Sequence, residues 1–167
     1  TGILGCTQID DYFNGVIKIH ELTRPDKEKD RINHIQISNI HAEPVFFTYP
    51  DNHNVDFIVE RLIRATPEYD FVATDGIRHT LWVVSEEHYI NQLVDLFAKI
   101  PFVYVADGHH RTAAAAIVGK ERKEKRRLTR NSERVRPCPV LPITAIAFGR
   151  GDLHRMVKLD GGLDPVL

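Results

Sequence analysis

Two hydrophobic rhythms alternate along this chain: a period of two that marks half-buried strands, and a period of three to four that marks amphipathic helices. Ile3-Leu4-Gly5-Cys6 is strand-like. Asp10 to Gly15 reads as a turn region, and Gly15-Val16-Ile17-Lys18-Ile19-His20 alternates at its end, which predicts a strand delivering His20 and Glu21 to its terminus. Thr23, Pro25 and Asp26 supply a capping hydroxyl, a first-turn proline and an early carboxylate, so a helix is expected from there to about Ser38. Pro44 to Tyr49, closed by Pro50, predicts a strand, and Val55, Ile58, Val59, Leu62 and Ile63 predict a helix over Val55 to Ala65.

Further on, Phe71-Val72-Ala73 and Thr80 to Val84 flank Asp75-Gly76, a dipeptide that tolerates the positive φ of a tight turn, so a β-hairpin is expected. Ser85 is expected to cap a helix with Glu86 and Glu87 in its first turn and Ile90, Leu93, Val94 and Phe97 on one face. Phe102 to Ala106 predicts a buried strand, and Thr112 to Val118, rich in alanine, predicts a helix that packs closely on a sheet. Lysine and arginine dominate Lys120 to Arg136, where Leu128 and Val135 are the only large aliphatic side chains and no core face is visible. Val140 to Phe148 and Arg155 to Leu159 are two further expected strands. The order of elements gives an α/β (α+β) fold, a mixed sheet with helices packed on it, without internal repeats.

A chain of 167 residues, 43% of them hydrophobic, can bury one ordinary core, so one domain is the default. The 22 basic and 23 acidic side chains nearly cancel, so no global field favours nucleic acid or an anionic membrane. Cys6 and Cys138 stand far apart, as suits a reducing compartment better than a disulfide scaffold. No apolar run is long enough to span a bilayer and the start has no signal-peptide pattern, which makes a cytoplasmic location the expectation. Because the sequence opens on Thr1 and runs at once into a strand-like stretch, it is expected to be an internal piece of something longer.

Candidate chemistry concentrates at Asp107-Gly108-His109-His110-Arg111, where a strand gives way to a helix. The first amides of a helix lack internal partners and its dipole makes that end positive, so anions bind there. Gly108 allows close approach of a ligand, Arg111 can fork onto phosphate, the histidines add donors, and Asp107 is the residue best placed to hold Mg2+. A polar helix cap with a core histidine would explain one of these residues but not five at one turn. His20-Glu21-x-Thr23-Arg24 is a second cluster: a glutamate beside donors and a cation can act as a general base or metal ligand, although a charged turn capping the next helix explains it equally well. Lys27, Asp30 and Arg31 read as solvent ion pairs worth well under roughly 1 kcal/mol each. Asp75-Gly76-Ile77-Arg78-His79 repeats the theme but fits a hairpin tip, and His34, His41, His53, His88 and His154 lack metal-ligand spacing. The basic run from Lys120 has no interleaved aromatics, and nucleic acid is not an expected partner.

Several of these strings together resemble one family. Ile9-Asp10-Asp11-Tyr12, Gly15-Val16-Ile17-Lys18-x-His20-Glu21-x-Thr23-Arg24-Pro25-x-Lys27-Glu28-x-Asp30-Arg31, Asp75-Gly76-x-Arg78-His79-x-Leu81-Trp82 and Ala106-Asp107-Gly108-His109-His110-Arg111 resemble the prokaryotic family called domain of unknown function 1015. The likeness covers about residues 1 to 120 and returns only at Arg155-Met156-Val157-Lys158 with Asp160-Gly161, so residues 121–167 are expected to be a basic loop with possible terminal strands. Members of the family are longer, which implies that this chain corresponds to their middle segment. The Gly-His-His-Arg turn is also similar to the phosphate-binding turn of the ParB and sulfiredoxin superfamily, which includes nucleotide-hydrolysing DNA-partition proteins and a free serine kinase. That similarity implies that Gly108, His109, His110, Arg111 and Thr112 hold ATP or ADP with Mg2+ on Asp107. It further implies that Glu21 and His110 act in phosphoryl transfer to a small hydroxylated metabolite such as free serine. Two rivals stand beside it: a nucleotide-gated binding module without turnover, and a metalloprotein in which His20, Glu21, His109 and His110 hold Zn2+ or Fe2+.

Overall fold

Strand-forming segments far apart in the chain meet in one sheet. In a computed structural model that describes residues 1–41, 43–129 and 143–149, five strands lie in the order β1 (Ile3–Thr7), β7 (Ile143–Gly149), β3 (Val45–Tyr49), β6 (Val103–Asp107) and β2 (Ile17–Lys18). The sheet is mixed: β1 with β7 and β3 with β6 are antiparallel, while β7 with β3 and β6 with β2 are parallel. Alternation along β3 turns Val45, Phe47 and Tyr49 into the interior. They join Ile9, Ile17 and Val105 in a core closed by Ala115 and Ala116 of helix α5 (His109–Thr129).

Alanine is used there for closeness of approach. Ala115 and Ala116 meet the sheet core, while Ala114 and Val118 pack with Ile35 of helix α2 (Pro25–Ser38), so α5 lies between the sheet core and α2. Three sets of bonds show that α2 and α5 run side by side in the same direction. The Arg24 amide donates to His110, Gln36 donates to Glu121, and Arg122 donates to Asn39 and to the Ile35 carbonyl. Asn39 ends α2 in the left-handed conformation, φ 58°, and the Arg122 bonds satisfy that end. Both helices therefore begin at one end of the pair.

Asp51–Pro101 form a second unit, apart from the unit made by Thr1–Pro50 and the chain from Phe102 on. Within the second unit α3 (His53–Leu62) packs on α4 (Glu87–Ala98), and β4 (Tyr69–Val72) pairs with β5 (Arg78–Leu81). The hairpin forms at Asp75-Gly76 as its residues require, with Gly76 at φ 83° and the Asp75 carboxylate accepting the Ile77 amide at 2.9 Å.

Local expectations fail in five places for identifiable reasons. Residues Ile9–Phe13 form a short helix, α1, rather than a turn, because Ile9 can then join the core. Thr23 does not cap α2; its hydroxyl donates to Glu28 and Arg24 occupies the cap position. Ser85 does not cap α4, whose cap position is Glu86 without a side-chain bond. β6 is not buried throughout, since only Val105 is fully enclosed. Helix α5 starts at His109, three residues before the expected Thr112, and continues to Thr129. The strand expected from Val140 is seen as β7, while the one expected at Arg155 to Leu159 falls outside the described residues.

Candidate functional site

Parallel pairing of β2 with β6 decides where Glu21 goes. Ile17 is opposite Val103 and Lys18 opposite Tyr104, so both strands end at the same edge of the sheet, and the residues after each emerge together. Glu21 and the Gly-His-His-Arg turn, far apart in sequence, thus become neighbours: the Glu21 carboxylate stands 3.5 Å from His109 Nδ1. His20 meets the same imidazole edge-on, with ring centroids 4.4 Å apart.

Gly108 opens α5 from a backbone that other residues resist. Its φ is 92°, and an added Cβ would come within 3.1 Å of Val45 Cγ1 and 3.2 Å of the Arg111 guanidinium. Its carbonyl accepts both the amide and the hydroxyl of Thr112, at 2.8 and 2.9 Å. Thr112, one of the residues the resemblance implies for nucleotide binding, is fully buried, and its hydroxyl serves the turn. Arg111 folds back over Gly108, donating to Asp107 at 2.7 Å and to the Pro44 carbonyl at 2.9 Å, and Glu43 lies 3.2 Å away. The antiparallel register of β3 with β6 brings Pro44 and Glu43 into reach. The fork expected to face phosphate is thus engaged within the protein.

A cleft of about 580 Å³ opens in front of the turn, lined by Glu21, Asp107 and residues 108–111 on one side and by Asp26, Lys27, Asp30 and Arg31 of α2 on the other. Both helix N-termini face it, and their dipoles add positive potential. Lys27 and Arg31, expected in solvent ion pairs, line the cleft, and among the described residues neither makes an ion pair.

The two histidines of the turn play different parts. His110 Nε2 accepts the Arg24 amide at 3.1 Å, tying the starts of α2 and α5 together and leaving Nδ1 as the protonated nitrogen. His109 is 5% exposed. Burial first, and then His20, hold its imidazole below the ordinary range, against the opposite pull of Glu21 and Asp107. Its Nε2 is enclosed and has no hydrogen-bond partner among the described residues. Among those residues, no group of three or more His, Cys, Asp and Glu is placed to hold a metal ion.

A family model described as protein of unknown function (DUF1015) matches residues 1–165. The chain belongs to the DUF1015 family. Curated proteins and solved structures give no match. The family match runs past residue 120, so the basic segment and the residues after it belong to the DUF1015 pattern rather than departing from it. Among the described residues of this DUF1015 chain, no helix is long and apolar enough to cross a membrane. Lys27 and Arg31 stand within the string that resembles the family, yet by spacing they read as helix-surface charges. The signal that raises them is the parallel course of α2 and α5, which only the fold supplies.

Proposed function

We propose that the cleft binds the phosphates of ATP or ADP with Mg2+ and supports phosphoryl transfer to a small hydroxylated metabolite, free serine being the first candidate. The observation that carries this reading is the meeting of two helix N-termini at one cleft, beside a glycine turn, with Lys27 and Arg31 in no ion pair among the described residues. Phosphoryl transfer asks a protein mainly for positioning and for charge placed where the transition state develops it.

In this reading the amides of the α5 start and the two cations hold the phosphate chain. Glu21, 60% exposed at the mouth, faces the acceptor hydroxyl. The acceptor oxygen forms a bond to the terminal phosphorus as the bond from that phosphorus to the bridging oxygen breaks. The hydroxyl proton passes to Glu21 and the shortened nucleotide leaves with the bridging oxygen. Asp107, 72% exposed, would hold Mg2+, which neutralises phosphate charge when bound. Oxygen donors in small number suit Mg2+, because it takes one or two carboxylates and completes its shell with water and substrate phosphates. Zn2+ usually asks three protein ligands of a site, and among the described residues no group of three or more His, Cys, Asp and Glu is placed to hold one. The ParB/sulfiredoxin-like character of the turn belongs to the same reading.

The experiment is calorimetric titration of ATP and ADP with and without Mg2+, followed by nucleotide turnover with free serine and other hydroxylated metabolites. Binding that strengthens with Mg2+ and turnover that depends on an acceptor support the proposal. Binding without turnover for any acceptor favours the nucleotide-gated module, and no binding removes both.

A further inference from the structure

Among the described residues of the cleft, His109 is almost wholly enclosed yet incompletely bonded. Its ring has two nitrogens with different surroundings: Nδ1 is 3.5 Å from the Glu21 carboxylate, and Nε2 is sealed with no partner among the described residues. The edge-on ring of His20 fixes the imidazole plane from one side. A neutral imidazole carries a single proton, and burial disfavours a second.

The two placements of that proton differ in cost. On Nε2 it would leave a buried N–H unpaired and set the Nδ1 lone pair against an acceptor carboxylate, two unfavourable terms. On Nδ1 it sits on the nitrogen that lies 3.5 Å from the Glu21 carboxylate and leaves only a bare lone pair enclosed, and an orphaned acceptor is tolerated better than an orphaned N–H. Hydrogen bonds of this kind are commonly long before the ligand arrives and shorten in the complex.

We infer that His109 is a positioning residue for Glu21, donating Nδ1–H to its carboxylate so that the other carboxylate lone pairs face the acceptor. Glu21 is otherwise an exposed side chain with several rotatable bonds, and holding it costs entropy that a buried, pre-oriented donor offsets. The inference rests on the reading of Glu21 as the base. Its structural part, the donor and the tautomer, stands independently of turnover.

The test uses the full chain labelled with 15N-histidine and a long-range proton–nitrogen correlation spectrum, with the His109 signals assigned from their loss in His109→Asn. A neutral ring protonated at Nδ1, with that preference relaxed in Glu21→Ala, is expected; an Nε2-protonated ring overturns the inference whatever the enzyme does. Turnover supplies the second arm. His109→Asn places an amide N–H near the Nδ1 position and should retain more turnover than His109→Gln, which places it near Nε2 and should lower kcat about ten- to a hundredfold with KM for the nucleotide unchanged. Equal loss in both variants, with circular dichroism showing both folded, overturns it. Should Glu21→Gln leave turnover unaffected while the tautomer is as expected, the base reading fails and the donor arrangement remains.

Discussion

Asp107-Gly108-His109-His110-Arg111 and Asp75-Gly76-Ile77-Arg78-His79 begin with the same dipeptide and both carry a glycine at positive φ, 92° and 83°. Their settings have little else in common. An added Cβ at Gly76 would meet nothing within 4 Å, whereas at Gly108 it would strike Val45 and Arg111. Arg78 is bound to Asp70 by two bonds of 2.7 and 2.6 Å on the hairpin surface, while Arg111 bridges Asp107, Glu43 and the Pro44 carbonyl around the start of a helix. One Asp-Gly closes a hairpin and the other launches a helix from the end of a sheet strand. The residues downstream make the difference: a strand, β5, that pairs back onto β4 in one case, and a run of alanines that the core can admit in the other.

The largest expected effect separates the two turns by chemistry. Glu21→Gln should lower turnover by about two to four powers of ten with nucleotide affinity nearly intact, because shape is kept and basicity is lost. Asp70→Asn, the matching change beside the hairpin turn, should leave turnover alone. Steady-state kinetics on both proteins decide the matter.

Backbone effects come next. Gly108→Ala combines left-handed strain with close contact and should cost about 2–4 kcal/mol in urea unfolding, while Gly76→Ala, strained but unobstructed, should cost about 1 kcal/mol. Equal losses would mean that the crowding around Gly108 relaxes freely. Thr112→Val removes a buried hydroxyl that the Gly108 carbonyl accepts from and should cost about 1–2 kcal/mol with the fold retained.

The smallest effect is a pH dependence. Burial first, and then Arg122, hold the His41 imidazole below its ordinary range, so the folded state binds its proton less readily than the unfolded chain does. The contribution is fully present above the unfolded value and is lost as pH falls towards the folded one. The melting temperature should therefore decline between about pH 7.5 and about pH 5.5, and His41→Gln should flatten that slope.

Much of this fold is legible in residue patterns, because strands and helices with one apolar face announce their period. The β3 alternation, the Asp75-Gly76 turn and the proline start of α2 are local facts and stand where expected, while the second hairpin strand is Arg78–Leu81 rather than Thr80 to Val84. Helix α1 escapes such a reading because its five residues are too short to display a period, and only the burial of Ile9 explains it. At the site, the turn itself is legible from residue types alone. The engagement of Arg111 with Asp107 and Glu43 is not, since Glu43 arrives through the β3 register. Lys27 and Arg31 mislead for the same reason: a charge on a helix reads as solvated until the neighbouring helix is known to begin beside it.

Calorimetric titration of Mg2+ and ATP into the parent protein and into Lys27→Ala/Arg31→Ala tests the central claim most directly. The parent should bind one equivalent, and removing both cations should weaken affinity by about tenfold or more, since each charged contact contributes on the order of 1 kcal/mol or above. Circular dichroism should be unchanged, because neither cation makes an ion pair among the described residues. Equal affinity in the two proteins, or no binding to the parent, would contradict the assignment of phosphate to this cleft.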